Sequence, residues 1–425
     1  MNQFPTVRLI ATLMTSASVL MTSCSHSPEG SPTAADILGN PNYQAISYGG
    51  YRAISRDTVP SVDQIKDDMR ILSAMDVKIL RTYNTELAEL PNLLQAISEL
   101  KQEDSSFEMY VMIGAWINCK DAFTDNPDHT QEDKAYNESE VQRAVQYAQQ
   151  YSDIIKMVAV GNEAMVHWAS SYFVAPSVIL KWVNYLQELK SKGDLPRDLW
   201  ITSSDNFASW GGGDVVYHSE DLNNLIKAVD YISVHTYPFH DTHYNNEFWE
   251  VSQQNSQNKA VDELVDDAMK RARDYAISQY SSVKNYLADL GIINKPIHIG
   301  ETGWATVSSG FYGRNGSQAA DEYKQALYYN HMREWTSKNN ISCFFFEAFD
   351  EIWKDAANSQ GSENHFGLFT IDGKAKYALW NSVDKGIFSG LTRDGNTITK
   401  TFSGSKENLF ASVLPPRMRK TDINK

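Results

Sequence analysis

Pro296-Ile297-His298-Ile299-Gly300-Glu301-Thr302-Gly303-Trp304 is a strand-length apolar run that closes on a carboxylate, and Val158-Ala159-Val160-Gly161-Asn162-Glu163 has the same form. Neither alternates strictly, as expected of a strand covered on both faces. Similar runs recur at Ala45 to Tyr51, Val77 to Tyr83, Phe107 to Trp116, Leu199 to Phe207, Tyr231 to Tyr237 and Ile341 to Glu347, and the run around Glu163 begins at Ile155. Between them lie amphipathic patterns at Ser61 to Met75, Glu138 to Gln150, Pro176 to Lys190, Leu264 to Leu290 and Gln318 to Thr336. Asp63, Glu138 and Asp321 fall near the expected helix starts, where negative charge is favoured. About eight such alternations predict an α/β fold, a (β/α)8 TIM barrel. An open doubly wound sheet shares this periodicity, but its glycine-rich phosphate loop is missing from the sequence.

A barrel turns strand ends into site predictions, because its active site forms at the carboxyl-terminal mouth. The polar residues gather at those ends: Tyr83-Asn84, Trp116, Asn162-Glu163, Asp205-Asn206, His235 to Tyr237, Glu301, and Glu347 to Lys354. Strand parity puts Ala159, Gly161 and Glu163 on one side of their strand, and Ile297, Ile299 and Glu301 on one side of theirs. Two carboxylates facing one cleft suit cleavage of a glycosidic bond. Paired structural glutamates are the plainer alternative, and each would need its own cationic partner. His235, His240 and His243 lack metal-ligand spacing, so no metal and no cofactor is expected.

Net charge is −15 at pH 7, which disfavours nucleic acid as a partner. Trp116, Trp168, Trp210, Phe239 and Trp304 stand at or after strand ends as candidate sugar platforms, with core packing as the alternative for each. Long segments at Lys120 to Tyr136, Ala208 to Asp221, Phe239 to Asn258 and Asp355 to Asn364 suit an extended cleft. Cys119 and Cys343 sit in or beside apolar runs, as buried thiols or a pair.

Arg8 followed by the apolar stretch Leu9 to Met21 reads as an export signal, too short to span a membrane. Leu20-Met21-Thr22-Ser23-Cys24 resembles a bacterial lipobox. The resemblance implies lipidation at Cys24 and a lipid anchor in a membrane, expected to be the outer membrane; an ordinary secretory signal is the alternative. The expected layout is a signal at 1–23, a flexible tether at 24–42, a catalytic barrel at 43–384 and a C-terminal extension at 385–425, in a monomer.

From Tyr43 to Trp380 the chain resembles glycoside hydrolase family 17, the β-1,3-glucan hydrolases and related transglycosylases. The motifs are Val160-Gly161-Asn162-Glu163, Gly300 to Trp304, Phe346-Glu347-Ala348-Phe349-Asp350-Glu351-Ile352-Trp353-Lys354 and His365-Phe366-Gly367-Leu368-Phe369. The resemblance implies Glu163 as general acid/base and Glu301 as nucleophile of a retaining enzyme, with carboxyls about 5 to 5.5 Å apart. Arg81-Thr82-Tyr83 resembles the family's R-x-Y motif, and Tyr237 its sixth-strand tyrosine. Expected substrate-binding residues are Tyr83, Trp116, Asn162, Asp205, Trp210, Tyr237, Trp304, Glu351, Trp353 and Lys354. The implied partner is a β-1,3-glucan polysaccharide or oligosaccharide. Endo-hydrolysis is the expected activity; glucanosyl transfer and non-catalytic glycan binding are the alternatives.

Overall fold

Strands that are apolar on both faces need cover on both, and this chain supplies it by closing them into a barrel with helices outside. The computed structural model describes residues 30–252 and 259–419. Cys24 and the expected signal lie outside the described residues. The strands are β1 Gln44–Ser47, β2 Val77–Arg81, β3 Tyr110–Ala115, β4 Cys119–Lys120, β5 Asp128–Glu132, β6 Ile155–Asn162, β7 Trp200–Asn206, β8 Ile232–His235, β9 Ile297–Gly303 and β10 Cys343–Phe346, followed by a two-residue hairpin of β11 Thr392–Arg393 and β12 Asn396–Thr397. Eight of them close in the order β1-β10-β9-β8-β7-β6-β3-β2, and every barrel pairing is parallel. The fold is the expected (β/α)8 barrel.

β4 and β5 form a small antiparallel hairpin outside it, so the expected loop at Lys120 to Tyr136 is partly structured. Asp133 accepts a hydrogen bond from the Tyr136 backbone N–H and starts the next helix at Lys134. That leaves Glu138 in the second turn rather than at the start. Asp321, by contrast, caps helix Glu322–Lys338 by accepting from Lys324 N–H. Helices Glu89–Glu103 and Glu220–Ala228 fill the intervals after β2 and β7.

Two apolar layers result. Val158, Val160, Ile297 and Ile299 pack outward in the large core shared with the helices. Ala45, Ile79, Met112, Met157, Ala159 and Phe344 fill the barrel together with Ala34 and Ile37. Those last two belong to a short helix, Ala34–Ile37, whose cap Thr33 exchanges hydrogen bonds with Asp36. It stops the end of the barrel opposite the mouth, so residues from Thr33 onward are packed structure, not the tether expected through position 42. Ile37 and Leu38 supply the apolar surface that a Ser/Pro-rich composition concealed.

The extension after 385 is packed where it is described. Phe388, Ile398 and Leu409 are buried, and Arg393 donates from Nε to Asp68 Oδ1 at 2.9 Å. Asp68, on helix Val62–Ala74, also accepts from Arg52 Nη2 at 2.9 Å. Cys119 and Cys343 are both free and buried.

Candidate active site

Glu301 reaches the mouth because β9 breaks its alternation. In the pairing with β8, Val234 faces Ile299 but His235 faces Glu301, so Gly300 is an extra residue in the ladder. Ile297 and Ile299 therefore face the helices while Glu301 turns inward, and the expected shared face for these three residues does not exist. The bulge requires glycine: a Cβ at position 300 would lie 2.0 Å from Ser233 Oγ and 2.6 Å from Ser204 Oγ.

Three donors hold the Glu301 carboxylate. Tyr237 Oη donates to Oε1 at 2.6 Å, while Tyr83 Oη and Arg81 Nη1 donate to Oε2 at 2.8 and 2.7 Å. Arg81 is buried, and its Nη2 reaches Asn162 Oδ1 at 2.5 Å. Burial alone would raise the Glu301 carboxyl, but His235, Arg81, Tyr237 and Tyr83 outweigh it and keep it below the ordinary value. Burial pushes His235 down to about 4. That imidazole is neutral near pH 7, so there the lowering rests on Arg81 and the two phenols.

Glu163 follows a second bulge. Ala159 pairs with Thr202 and Asn162 with Ser204, leaving an extra residue on β6. Gly161 has φ +83° and Glu163 φ +47°, and a Cβ on Gly161 would point at Ala164 and Ile179. Gly161 therefore does not share a face with Ala159, and parity again misreads the strand end. Glu163 N–H donates to Ser204 O at 2.9 Å, and the following loop is anchored by Asp205, which accepts from Met165 N–H at 2.8 Å and Ser209 Oγ at 2.6 Å. Burial and the nearby Glu301 charge hold the Glu163 carboxyl well above its ordinary value.

His235 completes this side, with Nδ1 3.0 Å from Glu163 Oε1 and Nε2 2.8 Å from Ser204 Oγ. A neutral imidazole serves both charge states of Glu163. Its Nδ1 accepts from the carboxylic acid, or Nδ1–H donates to the carboxylate while Nε2 accepts from the serine hydroxyl. The pair is thus split in protonation, one carboxyl kept neutral and one kept ionised, as acid and nucleophile require.

Glu301 and Asn162 open onto a cavity of about 490 Å³ whose walls also include Tyr83, Trp116, Tyr172, Glu351, Trp353 and Lys354. Lys354 Nζ bridges Glu347 Oε2 at 3.0 Å and Glu351 Oε2 at 2.7 Å. Trp116 packs on Tyr172 at 5.1 Å, and Phe123 stacks on the same tyrosine at 5.4 Å. Three expected binding residues lie elsewhere. Trp210 is fully buried, its indole N–H on Ser233 O at 3.0 Å. Trp304 is fully buried as well, bonded to Ala319 O at 2.8 Å and packed on Phe239, itself buried. Asp205 spends its carboxylate on the backbone after Glu163. Trp168 is 61% exposed.

Arg81 and His235 are the site residues that sequence reasoning undervalued. Arg81 ends the apolar run Val77-Lys78-Ile79-Leu80, and a guanidinium buried there demands a carboxylate. His235 stands among the polar residues expected at the mouth, but its place two residues before Tyr237 carries no sign of the carboxyl that it bonds.

Residues 45–367 match the BtgE/BtgC glycoside hydrolase domain. The chain belongs to that family. An endo-laminarinase from Formosa Hel1_33_131, known from a crystal structure, is 64% identical, with 92% of this chain and 98% of that chain covered at a TM-score of 0.90. A glucan 1,3-beta-glucosidase of Schizosaccharomyces pombe is 26% identical over 76% of this chain and 82% of its own length. A glycoside hydrolase family 17 beta-1,3-glucanosyltransferase from Rhizomucor miehei shares the fold at 18% identity and a TM-score of 0.54, covering 79% of this chain and 96% of that chain. A longer Aspergillus niger relative also matches, and this chain spans 37% of its length.

Proposed function

We propose that this chain is an endo-acting β-1,3-glucan hydrolase working by double displacement. The observation that carries the reading is the contrast at one barrel mouth between Glu163, held on the buried His235 imidazole, and Glu301, held by Arg81, Tyr83 and Tyr237, with Arg81 also bonded to Asn162 beside Glu163. Near-complete coverage of the Formosa endo-laminarinase at high identity supports the substrate class. Glu301 Oε attacks the anomeric carbon as the glycosidic C–O bond breaks, and Glu163 gives its proton to the departing oxygen. Water then attacks the glycosyl ester, Glu163 takes the water proton, and Glu301 leaves as the carboxylate. Arg81, Tyr83 and Tyr237 stabilise that carboxylate on departure and fix its direction of attack.

The motifs around Glu163, Glu301 and Glu347 to Lys354 support placing the chain with glycoside hydrolase family 17. The segment Leu20 to Cys24 supports an exported lipoprotein anchored through Cys24 in the outer membrane, and a monomer is the simplest assembly for a self-contained barrel mouth. Labelled palmitate incorporated into the wild type and lost in Cys24→Ser supports the anchor; no incorporation in either rejects it. For the reaction, NMR of the first products from laminarin shows the β-anomer if displacement is double. Initial α-product rejects the mechanism, and products longer than the starting oligomer at low substrate concentration reject hydrolysis as the main activity.

A further inference from the structure

One end of the cavity carries polar groups that the reaction does not use. Tyr51 is 2% exposed and lines the cavity, yet its hydroxyl has no hydrogen-bond partner among the described residues. A buried hydroxyl left without a partner carries a desolvation cost that a ligand removes. Glu89 lines the same wall, at the start of helix Glu89–Glu103, and accepts from the Gly50 backbone N–H. Burial and the neighbouring Glu351 charge push it up to about 8, so it meets a ligand as a neutral acid able to donate and accept.

Gly49 lines this wall and Gly50 adjoins it. A Cβ on Gly49 would lie 1.8 Å from Glu351 Oε1, and one on Gly50 would lie 2.7 Å from Tyr48 Oη. Trp353 stands beside it, edge-on to Tyr51 at 6.3 Å between ring centres, with its indole N–H on Glu351 Oε1 at 3.1 Å. Arg56 covers a Trp353 ring face at 4.3 Å. The indole is thereby fixed in place.

We propose that Tyr51, Glu89 and Trp353 form a distal subsite for one neutral glucosyl residue of the bound chain, Tyr51 and Glu89 hydrogen-bonding its hydroxyls while the Trp353 edge packs against the ring. The inference rests on the glucanase reading and extends it to residues remote from the scissile bond. Contacts made equally in the ground and transition states change KM and leave kcat in place.

The test is steady-state kinetics of wild type, Tyr51→Phe and Glu89→Leu on laminari-oligosaccharides of increasing length, with the products of each oligomer mapped by mass spectrometry. Each variant deletes one neutral hydrogen-bonding group, so KM for the longest oligomers rises on the order of 2- to 10-fold. The penalty shrinks as the oligomer shortens, kcat stays within about twofold, and the preferred cleavage position moves along the chain. Equal KM at all lengths in both variants overturns the proposal, as does a fall in kcat at unchanged KM. If Glu89→Leu does not fold, Tyr51→Phe alone decides. A wild type inactive on every oligomer rejects the glucanase reading instead, a result that the variants cannot imitate.

Discussion

Glu163 and Glu301 differ through their neighbours: one faces a neutral imidazole and the other a guanidinium with two phenols. The consequence for pH follows directly. In the proposed mechanism Glu301 attacks as the ionised carboxylate, and its lowered value puts the acid limb of kcat/KM below the ordinary carboxylate range; Glu163 acts in its protonated form, and its raised value carries the basic limb well above that range. In Glu163→Gln the basic limb disappears, and turnover of substrates with poor leaving groups falls on the order of 10²- to 10⁴-fold. A pH series on both proteins checks this; a basic limb that persists in the variant assigns it to another group. His235→Ala removes the group that orients Glu163 in both charge states. We expect kcat to fall on the order of 10²-fold with KM nearly unchanged, and a variant with wild-type kcat contradicts the positioning role.

At the scale of elements, the two bulges matter more than the strands that contain them. Gly300→Ala places a methyl where Ser233 Oγ and Ser204 Oγ already stand. Overpacking of this kind costs about 1–3 kcal/mol, and the shift of Glu301 should remove activity beyond what the loss of stability explains; thermal unfolding and kcat measured together check both. The strand runs around Glu163 and Glu301 were legible from composition because burial on both faces leaves few polar residues inside them. The direction of the glutamates was not legible from period-two counting, since an extra ladder residue leaves no mark on apolar patterning. Trp210 and Trp304 were misread for a related reason: an indole just past a strand end turns toward the helices as readily as toward the mouth. Trp116 and Trp353 looked the same in sequence and do line the cavity. The short helix Ala34–Ile37 was hidden by its Ser/Pro-rich flank, whereas the capping Asp321 announced its helix correctly.

On the scale of the molecule, Asp68 ties the C-terminal segment to the barrel through Arg393 and Arg52, and all the atoms involved are buried or nearly so. Asp68→Ala leaves Arg393 buried without its anion, and removing one partner of such a pair typically costs about 3–5 kcal/mol. Urea unfolding measures it, and a change below about 1 kcal/mol contradicts the role. His298 gives the whole barrel a pH response. It lies at the end opposite the mouth, accepts from Ser342 N–H at 3.1 Å, and burial pushes it down to about 4. Because the unfolded chain binds the proton more readily, its stability contribution is complete above the ordinary histidine value of 6.5 and is lost as pH falls toward 4. The stability difference between wild type and His298→Gln should therefore change by on the order of 3 kcal/mol in favour of the variant between pH 7 and pH 4; a pH-independent difference rejects the assignment.

In the proposed mechanism Glu301 becomes covalently attached to the sugar while Glu163 manages the proton. That mechanism is tested most directly by incubating the enzyme with an activated 2-deoxy-2-fluoro laminari-oligosaccharide, whose ester turns over slowly, and mapping the modified peptide by mass spectrometry. One glycosyl adduct is expected, on the peptide that contains Glu301, absent in Glu301→Ala and still formed in Glu163→Gln because the activated leaving group needs no acid. An adduct on another carboxylate, or turnover of the natural substrate by Glu301→Ala at the wild-type rate, contradicts it.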